Sequence, residues 1–470
     1  MSFEITTEFL EKLTSYIEGS KNKSIISLFE EMHYADVAEI LDELSFDKVV
    51  YIIKLLDSEK TSAVLMELDE DIREKILQNL SAKEIAEEVE ELDSDDAADI
   101  IGELSEERQE AVMSQIEDEE QVKEIEELLT YDEDSAGGLM AKELVKVNEN
   151  WSVLKCVREM RMQAEKVTRV HSIYVVDDLD KLKGMLSLKD LLITSTKTAI
   201  SEVYIPNVDF VNVHDNLDEV SNKMRKYDLE AIPVVDNDGI LLGRITIDDI
   251  VDVIKEEADK DYQLAAGLTQ DVEADDSIIQ LTKARLPWLF LGLLGGVGAF
   301  LIMQMFENTF SENAILFFFT PLIAAMAGNV GVQSSAIIVQ GLANDDVKGS
   351  INSRLIKEML LATLNGIVLA LFLFLFVWLS VGNINTALAI SVSLVAVVIV
   401  AGLIGTFVPL FLNKQGIDPA IATGPFITTS NDIFGILIYF MIAKIILCIY
   451  TLLNFLREIP KYHTTTHRDI

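Results

Sequence analysis

Three stretches in the later part of the chain carry no charge, and they restrict its folding more than any other feature. Leu286 to Phe306 and Asn313 to Asn344 contain no Lys, Arg, Asp or Glu, and neither does the run from Met359 to Asn413. A helix crossing a hydrocarbon core needs about 20 apolar residues. The first two stretches each supply one span, and the third is long enough for two, divided at the turn-rich VGNINT of Val381 to Thr386. A fifth span is expected from near Asp432 to about Phe455. Core helices of a soluble protein are the alternative reading, and five uncharged runs of this length weigh against it.

Charge divides the chain at the same place. Residues 1–282 hold 69 acids against 28 bases, net −41, whereas residues 283–470 hold 9 against 10, net +1. The sequence therefore predicts an acidic soluble head joined to a membrane domain. Its first residues are polar and acidic rather than signal-like, so the head is expected in the cytoplasm and the spans in the plasma (inner) membrane. Lys283 and Arg285 before the first span, Lys348, Arg354 and Lys357 after the second, and Lys414 after the fourth agree with that orientation. The tail bases Arg457, Lys461 and Arg468 oppose it, because five spans would place them outside. The two cysteines, Cys156 and Cys448, lie in different regions and give no disulfide framework. The sign of the charge argues against nucleic acid as a partner.

Within the head, YADVAEILDEL (34–44), SAKEIAEEVEEL (81–92) and DSDDAADIIGEL (93–104) each start near a polar cap and place apolar residues three and four apart. Short helices packed as a small superhelix are expected over residues 1–135. A second repeat follows: IYVVDDLDKLKGMLSLKDLL (173–192) matches AIPVVDNDGILLGRITIDDIV (231–251) as strand, acidic turn, strand and helix. Val175 and Val234, Gly184 and Gly243, and Asp190 and Asp249 are each 59 residues apart. Two copies of one fold unit are implied.

These repeats resemble paired cystathionine-β-synthase-type (CBS) modules. Together with YDEDSAGGLM (131–140), the helical acidic head, and a five-span region carrying GNVGVQSS (328–335) and FITTSND (426–432), the chain resembles the MgtE family of magnesium channels. The expected fold is a multidomain integral membrane protein: an all-α superhelical N-terminal domain (1–135), an α/β tandem CBS pair (136–198 and 199–254), a long connecting helix (255–282) and an all-α five-helix transmembrane domain (283–470). The resemblance implies a homodimer conducting Mg²⁺, with cytosolic Mg²⁺ compacting the head and closing the pore.

The residues of the membrane part support an ion pathway independently. An Asp at the centre of a span costs about 2.5–3.5 kcal/mol on insertion scales and usually faces a cavity or a partner. Asp432 is thus a candidate ion site, although TTSND after Gly424-Pro425 also reads as a helix cap after a break. AAMAGNVGVQSSA (324–336) could form a facing wall, with Asn329, Gln333, Ser334 and Ser335 as neutral oxygens, or could serve only close helix packing. Thr428 and Thr429 complete the expected pore site with Asp432 and Asn329. Mg²⁺ binds hard oxygen ligands and sheds water reluctantly, and one carboxylate per chain favours a symmetric dimer presenting Asp432 twice. The family's second Asn of GNxGNQ is Val332 here, which removes an amide at that position. Asp418, in GIDPA, is either a pore-mouth acid or a turn acid. Gly292 and Gly296 form a GxxxG pair suited to close helix contact.

Carried over residue by residue, the resemblance implies regulatory metal ligands at Asp96, Asp218, Asp228, Asp249, Asp252, Glu257 and Asp261, with solvated surface acids as the alternative for each. Lys189 and Asp190 fit the placement of an adenine-nucleotide site, whereas Leu229 stands where nucleotide-binding members would carry an aromatic ring. The competing functions are a membrane-anchored nucleotide sensor without transport, and a channel for other divalent ions such as Co²⁺ or Mn²⁺. An enzyme is not expected. The sequence has no HExxH and no Walker-type loop, and His33, His171, His214, His463 and His467 all lie outside the spans.

Overall fold

The computed structural model describes residues 5–462 apart from 166, 168, 171, 270, 271, 273–275, 310–312, 344–346, 348 and 423; side chains of 422 and 454–462 are also outside the description. The sequence readings at His171, Lys348, His463, His467 and Arg468, and at the side chains of Arg457 and Lys461, fall outside what is described. The chain divides into two compact units, Met1–Lys255 and Glu256–Ile470.

The first unit opens with helices α1 to α10, all of 8 to 12 residues, spread over residues 7–128. Each is too short to be stable alone, so stability comes from the buried apolar face. Helix α3 (Tyr34–Asp42) buries Val37, Ala38, Ile40 and Leu41, and the His33 ring nitrogen accepts from the Ala35 amide at its start. Helix α7 (Ala82–Val89) starts with a capping box between Ser81 and Glu84, and α8 (Ser94–Gly102) buries Ala97, Ala98, Ile100 and Ile101. These elements share one core with the second CBS module, through Val211, Val220, Ile232, Val234 and Ile245.

The repeat is visible in the strands. Strands β1 (Val145–Asn148), β2 (Ile173–Val176), β3 (Leu182–Leu186) and β4 (Ile205–Pro206) form one sheet in that order. Strands β5 (Val211–Asn212), β6 (Ala231–Val235) and β7 (Leu241–Thr246) form the other. Val175 pairs with Gly184 and Val234 with Gly243, and both antiparallel pairs slip register one residue later. The glycines are required by close approach: a Cβ on Gly184 would lie 2.1 Å from the Ile205 carbonyl oxygen, and one on Gly243 would lie 2.6 Å from that of Ala141. The modules continue into helices α11 (Val153–Gln163), α12 (Leu188–Ile193) and α13 (Leu217–Tyr227).

Helix α14 (Ile247–Ala266) follows β7 directly and stops at Gly267, whose φ of +85° favours glycine. A new helix, α15 (Ile278–Phe306), then forms the first of five candidate membrane spans among the described residues. After the short α16 (Ile315–Phe318) come α17 (Thr320–Ala343), α18 (Ile351–Val381), α19 (Ile384–Lys414) and α20 (Gly424–Tyr462). The expected division at VGNINT is the α18–α19 turn. Gly382 adopts φ +71°, and the Asn383 side chain accepts from the amides of Asn385 and Thr386.

Helix α20 contradicts one sequence reading. It is continuous through Asp432, with Gly424 and Pro425 at its first positions, so Asp432 is an interior helical residue and not a cap. Proline is suited to the first turn, and a continuous helix satisfies backbone groups that a break within the membrane would expose.

Candidate functional site

In the membrane unit, α17 and α20 enclose an open cleft of about 440 Å³. From α20, Thr428 and Asp432 line it one helical turn apart; from α17, Asn329 and Gln333 do the same, each directly preceded by another lining residue, Gly328 and Val332. Close approach depends on Gly328, where a Cβ would lie 3.2 Å from Thr428 Cγ2 and 3.9 Å from Asp432 Oδ1. The cleft thus gathers one carboxylate, two carboxamides and a hydroxyl, all hard oxygen donors of the class that suits Mg²⁺ and its bound water. Thr428 Oγ1 itself donates to the Gly424 carbonyl at 3.0 Å, leaving lone pairs for the cleft.

Thr429 is not part of this site. It packs against Gly295 of α15 in a separate groove lined also by Leu291, Phe426 and Ile433. The reason is helical phase: residue 429 is about 100° around the axis from 428, and it shares its face with 433 rather than 432. Ser334 and Ser335 also turn away. Ser334 donates to Glu358 of α18 at 2.6 Å, and Ser335 is fully buried. Asp418 accepts from the Ala420 amide at 2.8 Å, the turn role of the two considered. Gly292 and Gly296 have open space where a Cβ would project.

In the head, the N-terminus of α8 meets the start of α14. Asp95, Asp96 and Asp249 converge there, and Asp99 stands at the exposed rim. Burial pushes the Asp95 carboxyl well above the usual carboxylate range, with the charges of Asp96 and then Asp249 adding to it, and its Oδ1 has no hydrogen-bond partner. Asp96 is pushed up to about 7, by burial first and then by Asp99 and Asp249. Burial also raises Asp249, against hydrogen bonds from the Thr246 amide (3.0 Å) and hydroxyl (2.5 Å) that favour its charged form. Ser94 ties the same corner to the linker, its amide and hydroxyl both donating to Glu143. Among the described residues no three His, Cys, Asp or Glu side chains converge closely enough to chelate an ion directly. A hydrated divalent ion, bridging through its water, suits such a loose set of carboxylates.

The remaining predicted ligands do not join this corner. Asp218 is in the first turn of α13 and Asp228 is its left-handed C-cap (φ 51°), about 15 Å apart along the helix. Asp252 is exposed on α14, and Glu257 and Asp261 lie on its second half, in the other unit. Lys189 is exposed at the start of α12 beside the half-buried Asp190, and Leu229 packs on the core. Sequence reasoning missed Asp95 and Glu358; their signals were a third acid in DSDD and a lone acid abutting the uncharged run that begins at Met359.

Family models match most of the chain, in order. An MgtE intracellular N domain covers residues 32–134, CBS domains cover 136–195 and 200–256, and MgtE, described as a divalent cation transporter, covers 320–442. The magnesium transporter MgtE of Enterococcus faecalis is 36% identical over 67% of this chain and 70% of its own length. The chain belongs to the MgtE family. Magnesium transporters MgtE from Thermus thermophilus and Bacillus subtilis are 34% and 32% identical, again over 67% of this chain and 71% and 70% of their own lengths. A solved cytosolic domain of the Mg²⁺ channel MgtE in complex with ATP is 32% identical over 52% of this chain and 99% of that chain, with a TM-score of 0.49. The MgtE relatives named here are transporters, in keeping with a membrane protein that is not an enzyme.

Proposed function

We propose that this MgtE-family chain carries Mg²⁺ across the membrane through the α17–α20 cleft, with Asp432 as the ion-attracting carboxylate and Asn329, Gln333 and Thr428 as neutral oxygens around it. The observation that carries this reading is the position of Asp432: an acid inside a helix long and apolar enough to span a membrane, lining an open cleft together with Asn329, Gln333 and Thr428. Such placement is costly unless water or an ion accompanies the charge. A single chain offers one carboxylate to the cleft, so a homodimer with two copies of Asp432 about a shared axis is the assembly that best matches a doubly charged, largely hydrated ion.

The head is proposed as the sensor. Asp95, Asp96 and Asp249 hold like charges in a half-buried corner, and a divalent ion there would relieve both their repulsion and the orphaned Asp95 oxygen. Helix α14 carries Asp249 in its first turn, and its last turn abuts the start of α20. A Cβ on Gly424 would lie 2.2 Å from the Ala265 carbonyl, and one on Gly267 would lie 2.4 Å from Pro425. Asp252, Glu257 and Asp261 along α14, and Asp218 and Asp228 on α13, are assigned as further, weaker sites for regulatory Mg²⁺. An adenine nucleotide at Lys189 and Asp190 is a secondary proposal. Boundaries at 135, 198, 254 and 282 are proposed as the functional division of the chain.

The experiment is Mg²⁺ uptake into magnesium-starved cells expressing wild type or Asp432→Ala. Uptake should fall at least about tenfold, as expected when a buried charge partner worth more than about 1.4 kcal/mol is removed. Undiminished uptake would remove the pathway from this cleft, and a chain that moves Co²⁺ or Mn²⁺ better than Mg²⁺ would favour the broader divalent-channel reading.

A further inference from the structure

Beside the proposed pathway lies a second acid within a membrane-spanning helix. Glu358 is the eighth residue of α18, half-buried, and its Oε1 accepts from the Ser334 hydroxyl of α17 at 2.6 Å. That distance is typical of a hydroxyl hydrogen bond to a carboxyl oxygen. The carboxylate has room because the facing residue of α19 is Gly402. A Cβ there would lie 2.8 Å from Oε1, so any larger side chain would displace it. Three spans therefore meet at one carboxylate: α18 supplies it, α17 donates to it and α19 leaves space for it.

Ser334 directly follows Gln333, and Gln333 and Asn329 are the two amides that α17 presents to the cleft. On a helix, neighbouring residues are about 100° apart in azimuth, so fixing Ser334 towards α18 fixes where Gln333 and Asn329 point. Rotation of α17 by even a fraction of that angle would carry the amides off the cleft. The Ser334 hydroxyl donates and Glu358 Oε1 accepts, which also fixes the direction of this bond. The cost of the acid inside the membrane domain is justified by what it holds in register.

We propose that Glu358 is a positioning residue for ion passage: seated against Gly402, it holds Ser334 and so sets the azimuth at which Asn329 and Gln333 meet the ion at Asp432. The proposal rests on the pathway assignment above. It acts on how well the ion is bound rather than on whether the chain folds, because the apolar contacts of α17, α18 and α19 are independent of this bond.

The test is Mg²⁺ influx into proteoliposomes holding the full-length protein, measured against Mg²⁺ concentration, for Glu358→Ala, Glu358→Gln, Ser334→Ala and the double alanine variant. Loss of one hydrogen bond should raise the half-saturating Mg²⁺ about three- to tenfold in each single alanine variant. The double variant should be no worse than either single, because both remove the same bond. Glu358→Gln keeps an accepting oxygen and should stay within about twofold of wild type. Unchanged half-saturation in Glu358→Ala, multiplied effects in the double variant, or a Glu358→Gln curve like that of Glu358→Ala would overturn the proposal. If Glu358→Ala does not fold, Ser334→Ala and Glu358→Gln, which change a single group each, decide it: normal half-saturation in Ser334→Ala rejects it. Asp432→Ala is measured alongside. Normal influx there removes the pathway reading, whereas a silent Asp432→Ala with normal Glu358 and Ser334 variants removes only the positioning role.

Discussion

On α7 the Glu88 side chain is half-buried, and its Oε2 has no hydrogen-bond partner. Burial first, then the charges of Glu87, Asp57, Glu91 and Glu84, pushes its carboxyl up to about 8. In the unfolded chain the same group titrates near 4.5. Between those values the folded head keeps a proton that the unfolded chain releases, so stability falls as pH rises through that window. Glu88→Gln, which cannot ionise, should flatten the slope and raise the melting temperature at pH 8, through a gain in stability on the order of 1 kcal/mol after allowance for solvent screening. Melting curves of the detergent-solubilised protein at pH 5 and pH 8 check this, and an unaltered slope would place the pH dependence elsewhere. At the same scale, Thr428 and Thr429 illustrate what sequence could yield. Both are polar neighbours of Asp432 and were indistinguishable by composition, yet spacing from residue 432 separates them, since only 428 is one turn away. Glu358 was hidden for a different reason: it borders the uncharged run and follows Lys357, and so reads as part of a basic loop.

At the scale of elements, spans α17, α19 and α20 approach each other through glycines. A Cβ on Gly331 would lie 1.8 Å from Asn431 Nδ2 and 2.7 Å from Ile427 Cγ2, and one on Gly405 would lie 2.4 Å from the Gly331 carbonyl oxygen. The obstacle at Gly405 is backbone, which cannot swing aside as a side chain can. Gly405→Ala should therefore force α19 from α17 and destabilise the membrane unit by about 1–3 kcal/mol, the usual cost of overpacking. Gly416→Ala, where open space surrounds the position but φ is +73°, should act only through local strain at the end of α19. Thermal unfolding of the two variants in one detergent distinguishes them, and equal loss would reject the close-packing argument. The strands and spans were legible in advance because their signals are periodic: a 59-residue register fixed the twin sheets, and charge-free length fixed the spans. The start of α20 was not. TTSND has the composition of a cap, and only the cost of exposing backbone in a membrane carries the helix past it. The end of α14 was likewise ambiguous, because the polar residues after Gly267 permit either helix or turn.

For the whole molecule, the question is how acids near the amino-terminal end influence an acid at residue 432. Helix α14 supplies covalent continuity, with Asp249 in its first turn and Ala265 and Gly267 meeting Gly424 and Pro425 eight residues before Asp432. An ion can move such an equilibrium only if it binds one state more tightly than the other. The Asp95, Asp96 and Asp249 corner can supply that difference, because its carboxyls come from α8 and α14 and a cation gathered between them favours their charged forms over the protonated forms that burial and mutual repulsion favour without it. Neutralising Asp96 and Asp249 together, as Asn, should therefore leave the corner closed without an ion or indifferent to it. In either case millimolar Mg²⁺ on the head side should no longer control the current. A loss of two charge-assisted contacts, each worth about 1.5–3 kcal/mol, corresponds to at least about a hundredfold shift in the inhibiting concentration. Monovalent salt should not substitute in wild type, since half-buried carboxylates are screened far less than surface ones. Patch-clamp recording with Mg²⁺ or KCl varied on the head side measures both. Inhibition by Mg²⁺ at the wild-type concentration in the double variant would mean that sensing resides in other acids, of which Asp218 and Asp228 on α13 and Glu257 and Asp261 on α14 would be the next to neutralise.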